Sequence, residues 1–131
     1  MQQKLVLIVE QVVIELLLVV VEDKLKMVEL LMLFVEFDHG VIIRKGTGRD
    51  APRIIRLVMG NPLIMKEMAK HVPDAGSYAP VTVLVDERSD GVHLSYDRMA
   101  SLLAPYGNSN ALEVARNLDA KVEDLLQQAA A

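Results

Sequence analysis

Residues 1–35 contain no Gly, Pro, Asn, Ser, Thr, Ala or Arg, although the 131-residue chain holds 7 Gly and 5 Pro. Turns, caps and tight contacts need those residue types throughout a domain, so an alphabet divided this way is unusual. The segment is written almost wholly in Leu, Val, Ile, Met, Glu, Lys and Gln. Two readings follow. One is an unusually apolar strand–helix–strand unit. The other has Leu, Val and Glu standing in for side chains of similar shape. Composition favours the second, and functional weight therefore belongs on residues 36–131.

One domain is the natural reading of this length, with enough chain to bury a core without staples. A hydrophobic fraction of 52% beside 24% charged residues fits a soluble globule. Net charge −4 and a pI near 5.3 argue against a nucleic-acid surface, because basic residues are scattered among acids. With no Cys, disulfides, thiolate nucleophiles and Cys-held zinc or iron–sulfur sites are excluded. That count does not choose between cytoplasm and periplasm. Residues 12–21 are apolar except for Glu15, yet too short for a span of about twenty residues. No small-residue cleavage site follows them, so buried core is expected rather than a membrane span or signal peptide.

Periodicity places a strand at 5–9, a helix over 10–26 and a second strand at 30–37, closed by Asp38-His39-Gly40. Gly46, Thr47, Gly48, Asp50, Ala51 and Pro52 read as a polar loop before a strand at 53–59. Gly60-Asn61-Pro62 then makes a turn into a helix at 63–71. A loop at 73–80 leads to a strand at 81–86, an Asp90-Gly91 hairpin and a returning strand at 92–96. His93 alternates with Val92 and Leu94, which predicts that it faces solvent. A helix at 97–105 near an Asp97 cap follows, then a final helix at 111–127 capped by Ser109 or Asn110, with a frayed tail. On that last helix Glu113, Arg116, Asn117, Asp119, Glu123 and Asp124 form the predicted wet side. Helices bracket a run of strands, so the expected fold is one α+β domain, mostly antiparallel.

Between Glu36 and Tyr106 the chain resembles the bacterial domain-of-unknown-function family 302. The resemblance rests on Asp38-His39 closing a strand, Gly60-Asn61-Pro62 after the next, and Met65 in the helix that runs to Pro73. Pro80 before a Val-rich strand and an acidic Gly hairpin leading to Ser95-Tyr96 complete it. Two departures stand out: Ala79-Pro80-Val81 replaces the usual Leu-Pro-Leu, and residues 41–45 (VIIRK) replace a small-residue helix. The resemblance implies a compact TBP-like α+β fold, often dimeric, with no established reaction.

His39 is the leading candidate for chemistry, because the neighbouring Asp38 could orient its imidazole. It would serve as an axial haem ligand, a metal ligand or a proton-transfer group. The plainer reading is a turn histidine bonded to a nearby carbonyl. Met59 and Met65 flank Asn61; they are soft ligands in one reading and core filler in the other. His39, Met59 and Met65 are expected to bracket one sheet end and form a pocket there. His71 and His93 lack metal-ligand spacing with His39, so only a dimer could complete a metal site. Gly46-x-Gly48 lacks the Lys-Ser/Thr of a phosphate loop, and Ser77 and Ser95 lack a nucleophile-elbow context.

The leading expectation is a non-enzymatic binding domain, a homodimer or higher homo-oligomer, holding haem or another apolar or soft-metal ligand near His39, Asp38, Met59, Asn61 and Met65. One alternative is a small enzyme or sensor using Asp38 and His39 in acid–base work; the other is a purely structural dimer. For residues 1–35, the expected outcome is an intact mass that departs from the 14.5 kDa of this sequence. Agreement by mass spectrometry would restore the apolar-unit reading.

Overall fold

Alternating apolar side chains, interrupted at the glycine and proline turns, build a five-stranded sheet. The structure, a computed structural model, describes residues 3–29, 31–48 and 52–131. Strands β1 (Lys4–Val9), β2 (Met32–Asp38), β3 (Ile54–Gly60), β4 (Val81–Arg88) and β5 (Gly91–Asp97) lie in the order β1-β5-β4-β3-β2. All four pairings are antiparallel. The helices are α1 (Ile14–Lys26), α2 (Gly40–Thr47), α3 (Pro62–Ala69), α4 (Met99–Leu103) and α5 (Ser109–Ala130). Short 3-10 turns occupy Pro73–Ser77 and Ala104–Tyr106. The α+β expectation holds. Because β1 and β2 occupy opposite edges, α1 must cross the sheet between them.

One face of the sheet is the core. Leu57, Val83, Val85 and Leu94 are fully buried there with Ile14, Leu17 and Val21 of α1 and Val122, Leu125 and Leu126 of α5. Each such side chain contributes about 1.5–3 kcal/mol by leaving water. The β4–β5 hairpin needs glycine at position 91. Its φ is 136°, and a Cβ there would lie 2.7 Å from the Val9 carbonyl oxygen, where β1 runs past.

Several element boundaries differ from expectation. α1 starts at Ile14 rather than residue 10, after a turn in which Gln11 takes φ 52°. β2 begins at Met32; the expected start at Leu30 lies outside the described residues. The polar loop expected at 46–52 is partly helical: α2 includes Gly46 and Thr47, and left-handed Gly48 closes it by donating its N–H to the Arg44 carbonyl at 2.7 Å. Asp50 and Ala51 of that expected loop lie outside the described residues. Asp97 ends β5 instead of capping α4, whose N-cap is Arg98. Asn108 caps α5, its Oδ1 accepting from Ala111 N at 2.9 Å. That helix persists to Ala130 because Leu126 and Ala129 are buried, so the expected fraying is absent.

The largest correction concerns Asp119, expected on the wet side of α5 but only 4% exposed. Its Oδ1 accepts from Tyr96 Oη at 2.5 Å and Met99 N at 2.8 Å, and its Oδ2 from Ala100 N at 3.0 Å. Burial pushes this carboxyl above its ordinary range, against the pull of the three donors. Burial and the adjacent Asp119 raise the Tyr96 hydroxyl far above its usual range, which keeps it a proton donor. The carboxylate thus caps α4 from another helix.

Asp119→Asn retains an acceptor but turns an amide toward one of those N–H groups. We expect a loss of about 1–3 kcal/mol, and a larger one for Asp119→Ala, both read from urea denaturation midpoints.

Candidate functional site

Gly60-Asn61-Pro62 ends β3 and starts α3, and each residue has a local physical task. A Cβ at Gly60 would meet Pro80 Cβ at 3.3 Å and Phe34 Cε2 at 3.8 Å, so glycine permits that close approach. Asn61 Oδ1 accepts from Leu63 N at 2.7 Å, and Pro62 occupies the first turn, where no N–H is missed. Phe34, Asn61, Pro62, Met65, Ala79 and Pro80 thereby enclose an apolar cleft of about 190 Å³.

A polar cavity of about 280 Å³ lies beside it, with Pro80 lining both. Arg56, Thr82, Asp97, Ser77 and Tyr78 face it. Arg56 Nε donates to Thr82 Oγ1 at 3.0 Å, and its guanidinium lies 5.7 Å from the Phe37 ring centroid. Lys4 Nζ is 3.5 Å from Asp97 Oδ1. Tyr78 and Tyr106 share a hydroxyl hydrogen bond of 3.2 Å; that bond, then burial and Asp74, raises the Tyr106 hydroxyl.

Asn61 and Met65 therefore line a cleft as expected, but the other candidates lie elsewhere. Met59 is fully buried in the core, as is Met68. The antiparallel register sets Asp38 opposite Ile55 and Leu33 opposite Met59. His39 consequently follows the far end of β2, roughly 20 Å from Asn61 at about 3.3 Å per strand residue. The expected gathering of His39, Met59 and Met65 at one sheet end does not occur. Nor do Asp38 and His39 pair: Asp38 Oδ2 accepts from Arg44 at 3.3 Å, with Arg53 at 4.0 Å. His39 stacks on Phe37, with centroids 6.0 Å apart and planes 7° from parallel.

His93 also differs from expectation. It is 7% exposed, not solvent-facing, and its Nε2 lies 2.6 Å from Asp90 Oδ1. That bond lowers the Asp90 carboxyl below its ordinary range. Among the described residues no group of three His, Asp or Glu side chains converges as a metal site. The residues missed by sequence reasoning are Phe34, Arg56 and Thr82. Arg56 did leave a signal, a cation inside the apolar strand RIIRLVM.

Comparison with known families decides the classification. The model of "Domain of unknown function DUF302" matches residues 15–129. The chain belongs to the DUF302 family. A crystal structure described as an uncharacterized conserved protein DUF302 from Bacillus stearothermophilus superposes with a TM-score of 0.86. That match covers 98% of this chain and 99% of the other at 12% identity, which establishes a shared fold. No curated protein matches the chain. Part of the motif set that suggested the DUF302 family meets in space: Asn61, Pro62, Met65 and Pro80 line the apolar cleft, with Gly60 against Pro80 and Phe34, whereas Asp38-His39 lies at the far end of β2.

Removing the Asn61 cap should cost about 0.5–2 kcal/mol in Asn61→Ala and only a few tenths in Asn61→Gly. Thermal unfolding of the two variants provides the comparison; equal losses would contradict the capping role.

Proposed function

We propose that this DUF302 domain is a non-enzymatic binding module that self-associates and takes an apolar group into the Phe34–Met65–Pro80 cleft. One observation supports self-association above all. Edge strand β2 exposes Met32 (46%) and Phe37 (43%), and neighbouring α2 exposes Ile42 (72%). An edge strand presents unpaired N–H and C=O groups, and apolar side chains around it favour covering by a second copy. The cleft opens beside that same strand through Phe34.

Acid–base chemistry by Asp38 and His39 is less well supported, because Asp38 is engaged by Arg44 and Arg53. Haem or a soft metal at His39 would rest on one exposed imidazole stacked on Phe37. A second subunit would have to supply the remaining ligands. No helix among the described residues is long and apolar enough to cross a membrane.

Light scattering after gel filtration should give a dimer or larger species for the unmodified chain. Ile42→Lys, whose side chain faces solvent in the single chain, should shift it to monomer without changing its circular dichroism. An unmodified chain that runs as monomer at tens of micromolar would refute self-association.

A further inference from the structure

The guanidinium of Arg56 stands apart from its neighbours in what it binds. Arg44, Arg53, Arg88 and Arg98 each meet a carboxylate, those of Asp38, Glu15, Asp86 and Glu123. Half-buried Arg56 meets none among the described residues; it has a hydroxyl at Nε and an aromatic ring beside it. Those two contacts hold the planar group in place, and Arg56 lines the polar cavity. A held, unneutralised guanidinium is the arrangement that recognises a carboxylate, since its fork matches two oxygens and little freedom is lost on binding. Thr82 accepts from Arg56 and so keeps its own O–H free to donate.

From this we infer that the polar cavity binds the headgroup of an amphipathic monocarboxylate whose hydrocarbon part enters the adjoining cleft. The inference rests on the cleft being a ligand site, as proposed above. Register supports the span. Thr82 pairs with Val58, two residues before Gly60, so headgroup and cleft are separated by about 7 Å of strand. Neither cavity alone, at about 280 and 190 Å³, reaches the usual lower limit of about 300 Å³ for a small-molecule site. Both are bordered by Pro80, so a ligand reaching past that residue would draw on the space of each. Charge restricts the headgroup further. Asp97 faces the same cavity and is shared with exposed Lys4, so among the described residues Arg56 is the cavity's cation without a carboxylate of its own. A monoanion is matched; a phosphate dianion would meet Asp97 uncompensated.

Calorimetric titration of the full chain with octanoate, 1-octanol and inorganic phosphate separates the possibilities. Octanoate should bind at least tenfold more tightly than 1-octanol, and phosphate should not bind. Arg56→Gln should bring octanoate down to the affinity of 1-octanol, and Thr82→Val, which keeps the shape, should reduce the preference severalfold. Met65→Glu should abolish binding of both alkyl probes. If octanoate and 1-octanol bind equally, or the preference survives Arg56→Gln, the headgroup site is wrong while the cleft stands. If neither alkyl probe binds, the cleft reading falls with it. Phosphate binding lost in Arg56→Gln would replace the monocarboxylate with a small anion and overturn the inference.

Discussion

Three hydrogen-bond donors converging on one buried carboxylate fix how the helices sit on the sheet. Dehydrating Asp119 costs several kcal/mol unless its oxygens are satisfied. The donors come from two places: Tyr96 on β5, and the first N–H groups of α4. If α5 slid by one residue, the carboxylate and at least two donors would be stranded together. Arg98, at the N-cap of α4, adds a bond from its Nε to Glu123 Oε1 one turn further along α5. The consequence reaches the candidate site, because Met99 of α4 also borders the polar cavity. The wall of that cavity is therefore positioned by an interaction on the other face of the sheet.

The sheet divides its labour by face. Inward residues of β3, β4 and β5 alternate with outward ones, and the helices cover only the inward set. The outward set includes Arg56, Thr82, Asp86 and His93, polar groups set in otherwise apolar strands. Cross-strand register sets Asp86 opposite His93, and Arg56 reaches Thr82 diagonally, since the direct partner of Thr82 is Val58. Such groups tolerate partial burial because each has a polar partner, Thr82 for Arg56, Arg88 for Asp86, and Asp90 for His93. Only the Arg56 pairing leaves a full charge without a countercharge among the described residues.

Local chemistry was legible in the sequence and long-range geometry was not. The Asp90-Gly91 hairpin and the Gly60-Asn61-Pro62 corner depend on backbone freedom and capping within a few residues, so their letters suffice. Every strand was recognised for the same reason, with ends displaced by at most two residues. Asp119 was misplaced because a carboxylate on a helix looks solvated until the donors from β5 and α4 are known. His93 was misplaced because strand alternation identifies a face but not whether side chains beside it close over the ring. The grouping of His39 with Met65 failed on direction alone: in an antiparallel pair the end of β2 meets the start of β3, not its end. Part of the cleft was visible as Asn61 and Met65. Its other wall, Phe34, comes from a strand distant in sequence, at a register shift between Leu33 and Val35.

The unusual alphabet of residues 1–35 has a physical counterpart. On α1, Ile14, Leu17, Leu18, Val21 and Leu25 are buried at the spacing of one helical face. The opposite face carries Val13, Leu16 and Val19, exposed where a solvated helix normally places polar side chains. β1 repeats the pattern, exposing Val6 and Ile8. Those two lie on the outward face of the sheet with Ser95 and His93, whereas α1 packs on the inward face. A single flat interface cannot cover both. Inward positions of the segment thus suit the fold, and the anomaly is confined to outward ones, which is the distribution that substitution by shape would leave. Self-association therefore draws its strongest support from Phe37, Ile42 and Ile43, which expose apolar surface beyond residue 35. Of these, Phe37 lies outside both unusual stretches, whereas Ile42 and Ile43 belong to the VIIRK segment that replaces the family's small-residue helix.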